Sequence, residues 1–201
     1  MKDIGVAFIL LISSIGNVSL GQTLTDVARS KELTWYGIDF TQSRFIGFKT
    51  TELNNTNLQD WGYTLLTESE VNMIRSSFGK KVLKIETSTA QSRNSDLDCK
   101  ELTVDFTYGF DIEKIKKTIN EYKINGTGYG VIFIVESVEK VSNSIFIWVV
   151  YISNSSGQII SARRYTGCGL ARDNRRGAYY GSKGIKLVFK LSGKDLKKYK
   201  K

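Results

Sequence analysis

The sequence predicts an α/β domain: a central mixed sheet that ends in an antiparallel meander and is flanked by about three helices. Apolar runs at 131–138, 145–152 and 158–165 are separated by short polar turns at 139–144 and 153–157, and such short connections join only antiparallel neighbours. Three other segments place apolar residues at helical spacing, two of them behind a capping residue. The 201 residues, 41% apolar and 24% charged, suffice for one core but hardly for two.

Along the chain, Leu33–Phe40 is aromatic and β-rich and reads as the first strand. Residues 44–48 either extend it or form a second short one. Leu53, Leu58 and Trp61 stand alone in a polar, Asn-rich stretch, a loop or a poorly formed helix. Thr67 and Glu70 have the spacing of a capping box for a helix over 68–78, with Val71, Ile74 and Phe78 on one side and Gly79 as its stop. Leu83–Ile85 is a strand candidate, and 88–98 is polar enough to be a loop. Leu102, Val104 and Phe106 alternate with Thr103 and Asp105, the period of a half-buried strand. Asp111 caps a helix over 111–122 whose inner side is Ile112, Ile115, Ile119 and Tyr122. Asn125–Gly130 is the turn out of it. The meander's apolar runs are too continuous for a solvated sheet, so helices should cover it. A last helix over 185–199 puts Ile185, Val188, Phe189, Leu196 and Tyr199 on one side and lysines on the other, with Gly193 weakening its continuity.

Residues 1–21 read as a signal peptide: a short charged start, an apolar run from Ile4 to Ile15, and small residues at Ser19 and Gly21 where a signal peptidase reads. The expected mature chain is a single α/β domain over 22–201, exported to the periplasm or the extracellular space. The apolar run is shorter than the ~20 residues that span a bilayer, and no cysteine follows it to carry a lipid. An exported chain with two cysteines invites a Cys99–Cys168 disulfide; the alternative is two unpaired small hydrophobes.

Composition removes much chemistry. The chain has no histidine, hence neither the commonest general base near neutral pH nor the commonest metal ligand. Two cysteines without a Cys-x-x-Cys make no zinc site, and Asp96, Asp98 and Glu101 lack the glycine and terminal glutamate of a calcium loop. No metal or cofactor is expected. The glycines of Asn125–Gly130 follow a helix and precede a strand, the reverse of a phosphate-binding loop. Cys168 between glycines and arginines lacks the histidine that would activate it. Asp39 and Glu136, in apolar strand surroundings, would supply an acid and a base if the fold brought them together, which keeps a carboxylate-based hydrolase as an alternative.

Charge is the strongest feature. From Arg163 to Lys201 five arginines and eight lysines face only Asp173 and Asp195, a net of +11 that exceeds the whole chain's +9. Arg163, Arg164, Arg172, Arg175 and Arg176, interleaved with Tyr179 and Tyr180 in a glycine-bearing loop over 163–180 that holds Gly167, Gly169 and Gly177, form the candidate binding surface, because guanidinium forks hold anions bidentately and tyrosines add apolar area. The expected partner is an acidic protein or an anionic envelope component such as a glycan or lipid. Export argues against nucleic acid as the partner, and an extracellular nucleic-acid-binding protein is a further alternative.

Trp35–Phe40 with Phe45–Gly47 behind it, Phe146–Tyr151 running to Gly157–Ser161, and the segment Gly167–Gly181 resemble secreted proteins of Bacteroidetes-type bacteria. The order of elements also resembles the α/β domain of envelope lipoproteins of the curli-secretion and penicillin-binding-protein-activator type: an early strand ending in Asp-Phe, as in Ile38-Asp39-Phe40, and a later strand–turn–strand leading to a glycine, as in Val150–Gly167. That resemblance implies action through protein contacts without catalysis. It also implies a lipidated cysteine after the signal peptide, which this sequence lacks. The expectation is a non-catalytic interaction protein of the cell envelope.

Overall fold

Strand β5 (Tyr129–Glu139) is the hub of the structure. A computed structural model describes residues 22–52, 58, 61, 67–105, 110–169, 171–173 and 178–200, with backbone alone at 99, 100, 171–173 and 178–180. Along one edge of β5 run β1 (Glu32–Asp39) and then β2 (Arg44–Ile46), both parallel to it. Outside these lie β3 (Val82–Ile85) on β1 and β4 (Thr103–Val104) on β2, also parallel. On the other edge β6 (Ser144–Ser153) and β7 (Ile159–Cys168) follow as antiparallel neighbours. The result is a seven-stranded mixed sheet, and the fold class is α/β. A separate two-stranded ribbon pairs β8 (Ala171–Asp173) with β9 (Ala178–Tyr180).

Helices cover both faces, which explains why β1, β5 and β6 are buried along nearly their whole length. On the first face lie α1 (Leu24–Arg29), α2 (Glu68–Ser77) and α6 (Ser182–Lys198). They bury Val27, Ile74, Ile185, Val188, Phe189 and Leu196 against Trp35, Phe133, Val149 and Tyr151. Trp35 sits at the centre, its ring 4.9 Å from Phe133 and 5.0 Å from Phe189. Each such side chain contributes about 1.5–3 kcal/mol by leaving water. On the second face, α3 (Ser88–Ser95) and α5 (Ile112–Glu121) hold Ala90, Ile115 and Ile119 over Tyr36, Ile132, Ile134, Val150 and Ile152.

Several expectations need correction. The polar stretch 88–98 is helical from Ser88 to Ser95. Its buried residues are Ala90 and Asn94, so it has no apolar period to betray it. Asn94 docks it by accepting from the Phe40 N–H (2.9 Å) and donating to the Ile38 carbonyl (2.7 Å). The strand expected from 102 onward is only Thr103–Val104, preceded by the short helix α4 (Cys99–Leu102); Phe106 lies outside the described residues. With α1, α3 and α4 added, the helices exceed the three expected.

Strand β7 runs on to Cys168, so Gly167 is a strand residue and not part of a loop. Its role is close approach. A methyl group there would lie 2.1 Å from the Gly184 carbonyl oxygen of α6. Gly193, mid-helix, likewise passes over the end of α2, where a methyl group would lie 2.3 Å from the Ser77 carbonyl oxygen.

Candidate functional site

At Gly37 the backbone takes φ +101° and the register of β1 against β5 shifts between Trp35 and Ile38. This β-bulge swaps the faces of the residues after it. Asp39 therefore points to the second face, where it is fully buried. Its Oδ2 accepts from Arg93 Nε (2.8 Å) and from the Tyr122 hydroxyl (2.9 Å), and its Oδ1 accepts from the Thr41 N–H (2.8 Å) and hydroxyl. Arg93 also donates to Thr41 Oγ1 and to Glu121. Burial, with the Asp39 charge beside it, pushes the Tyr122 phenol well above its ordinary range, so it stays a donor. Burial works against the Arg93 charge, but Asp39 and Glu121 outweigh it. The cluster closes on itself: each strong donor has its acceptor.

Glu136 stands at a second register shift, between Val135 and Ser137 of β5. Arg164 clasps it bidentately (2.7 and 2.8 Å) and Trp148 Nε1 donates to it (2.8 Å). The Arg164 guanidinium lies 4.2 Å over the Phe146 ring, and Trp148 stacks on Phe110 at 6.0 Å. Asp39 and Glu136 thus share a face, Asp39 opposite Ile134 and Glu136 two residues further along β5. Each is held by an arginine of its own, so the arrangement is two charge-assisted clasps.

Of the basic residues read from sequence, Arg163 and Arg164 do not share a surface. Arg163 and Arg164 are neighbours in a strand and so point to opposite faces. Arg164 is the partner of Glu136, whereas Arg163 donates to the Tyr199 hydroxyl and lies 5.1 Å over its ring, fastening β7 to the end of α6. Beside it the Tyr165 hydroxyl donates to Asp195 (3.0 Å); burial and that bond push the phenol to about 12. Arg172 lies opposite Tyr179, and Ala171 opposite Tyr180, in the β8–β9 ribbon. Arg175 and Arg176 lie outside the described residues. Cys168 carries a free, exposed thiol at the end of β7, and the Cys99 side chain lies outside the described residues.

Among the described residues, α6 carries a row of lysines without a carboxylate partner. Its inner side is buried as the sequence predicts, and Lys183, Lys190 and Lys194 project outward, exposed. No carboxylate among the described residues pairs with these three, whereas Lys186 pairs with Glu70 (3.1 Å) and Lys198 with Asp195 (2.6 Å). Lys197 caps α2 through the Ser76 carbonyl (3.1 Å). The second face carries shallow polar hollows around the end of α5. One of about 380 Å³ is lined by Tyr36, Lys84, Glu86, Lys123 and Asn154, and another of about 510 Å³ by Asn120, Lys123, Asn125 and Ser156.

The sequence reading missed Arg93, Thr41 and Tyr122 as partners of Asp39, and Glu121 as the second acceptor of Arg93, because α3 carries no periodic signal and the bulge at Gly37 decides which face Asp39 occupies. The alternation of β7 was available as a signal that Arg163 and Arg164 diverge. No family model, curated protein or solved structure matches the chain.

Proposed function

We propose that this protein is a non-catalytic interaction protein of the cell envelope that holds an anionic partner on its basic C-terminal surface. The observation that carries this reading is the outward row of Lys183, Lys190 and Lys194 on α6, without a carboxylate partner among the described residues. The two carboxylates that would have made an acid–base pair are engaged by Arg93 and Arg164, which favours binding over hydrolysis. Arg172, Arg175 and Arg176, which precede α6 in the sequence, belong to the same proposed surface. Export behind residues 1–21, to the periplasm or beyond, is part of the proposal, as is the kinship to envelope proteins that act through contacts.

Retention on immobilised heparin, a soluble-polyanion mimic, tests the reading. Two variants remove equal charge: Lys183, Lys190 and Lys194 to Gln, and Arg172, Arg175 and Arg176 to Gln. The lysine variant should elute at clearly lower salt than the native protein, because exposed charges act through a screened field that each lost lysine weakens. Native protein that passes straight through at low salt would overturn the proposal.

A further inference from the structure

The same helix carries a second pattern. On α6 the outward column at one turn's spacing is Lys183, Leu187, Lys190, Leu191 and Lys194, with Lys198 behind it. Leu191 is 39% exposed and Leu187 half-buried, although the opposite side of the helix offers the whole apolar core. From Lys183 to Lys198 the column runs roughly 22 Å at 1.5 Å per residue. It is an exposed column on the first face, and the hollows described above lie on the other face of the sheet. The ridge cannot roll, because Gly184 and Gly193 seat it against backbone and Arg163 ties its end to β7. No helix among the described residues is long and apolar enough to cross a membrane.

We propose that α6 is a docking ridge for an anionic phospholipid surface, lying flat with its lysines among the headgroups and Leu187 and Leu191 at the headgroup–acyl boundary. The inference rests on the reading of the basic C-terminal surface as the binding surface and names what that surface meets. Charge complementarity selects the occupant's sign, and the leucines select its kind. An acidic protein or glycan bound by charge alone gains nothing from two leucines in the row, whereas a helix lying in a membrane interface needs both an apolar edge and flanking lysines. A straight exposed column also meets a plane along its whole length. Each lysine near an anionic leaflet strengthens binding about fivefold, so three together supply about a hundredfold.

The test uses the chain from Gln22 to Lys201, co-sedimented with phosphatidylcholine vesicles carrying one phosphatidylglycerol in three, beside heparin retention of the same samples. The expected result is binding to the anionic vesicles and not to phosphatidylcholine alone. The Lys183, Lys190, Lys194 to Gln variant should lose about a hundredfold on vesicles. A Leu187→Ser, Leu191→Ser variant should lose vesicle binding while keeping its heparin elution, which also shows that it is folded. Native-like vesicle binding by the leucine variant overturns the lipid ridge. Late elution from heparin with no vesicle binding also overturns it, and leaves the basic-surface reading standing with an acidic protein or glycan as the partner. Failure on both supports overturns both.

Discussion

Gly167→Ala puts a methyl group where β7 and α6 touch through backbone alone. The new carbon would lie 2.1 Å from the Gly184 oxygen, 2.6 Å from its carbonyl carbon and 2.8 Å from its Cα. Neither side has a flexible tip that can swing away, so the first turn of α6 must retreat by about an ångström and loosen Ile185 and Val188 from the core. Overpacking typically costs about 1–3 kcal/mol, and a backbone-to-backbone clash belongs at the upper end. At about 3 kcal/mol a domain of this size loses roughly 6–12 °C in Tm. Gly126→Ala is the control: it has φ +117° with nothing within 4 Å of the added carbon, so it bears only the backbone strain of about 1–2 kcal/mol. Thermal unfolding followed by circular dichroism measures both. A Gly167→Ala protein melting within about 1 °C of the native one, or less affected than Gly126→Ala, refutes the reasoning.

Arg93→Met leaves the buried Asp39 carboxylate without its cation and should cost about 3 kcal/mol in urea unfolding, part of which Asp39→Asn restores in the double variant; strictly additive costs would contradict the clasp. Lys80 is buried and its ammonium donates to the Val27, Ala28 and Ser30 carbonyls at the end of α1; burial, then the neighbouring Lys200 charge, pulls its pKa from 10.5 to about 8. Because the folded pKa is the lower one, the unfolded chain holds more protons between these values. The contribution of Lys80 to stability therefore rises with pH through that window. Urea midpoints at both ends should show the rise in the native protein and a smaller one in Lys80→Met, and equal slopes would contradict it. The exposed Cys168 thiol should take up maleimide without denaturant, whereas a bridge to Cys99 would block it.

Much of this architecture is legible in the sequence because burial follows a period. The runs that become β5, β6 and β7 alternate with polar turns, and Ile115 and Ile119, or Ile185, Val188 and Phe189, mark one side of a helix; Ile112, expected on the same side as Ile115, is exposed because it stands in the first turn, off the sheet. What escapes is structure held by small or polar groups. Helix α3 is fixed by an asparagine and by Ala90 against Gly37, where a methyl group on the glycine would lie 2.9 Å from the alanine Cβ. The site was less legible than the fold for a related reason. Net charge counts arginines, but whether an arginine is free depends on partners far along the chain: Glu136 for Arg164, and Tyr199 for Arg163. The capping box at Thr67 shows the same dependence. Its hydroxyl accepts from the Glu70 N–H as expected, but the Glu70 carboxylate accepts from that same hydroxyl and pairs with Lys186 of α6.

The central claim is that an anionic partner lies along α6, and residue-resolved lysine acetylation tests it most directly. The folded protein is acetylated briefly with and without saturating heparin, and the rate at each lysine is read by peptide mass spectrometry. Lys183, Lys190 and Lys194 should slow by at least about fivefold each, while Lys84 and Lys123, which line the hollow on the opposite face, keep their rates. Equal slowing of all five, or slowing confined to Lys84 and Lys123, would contradict the account.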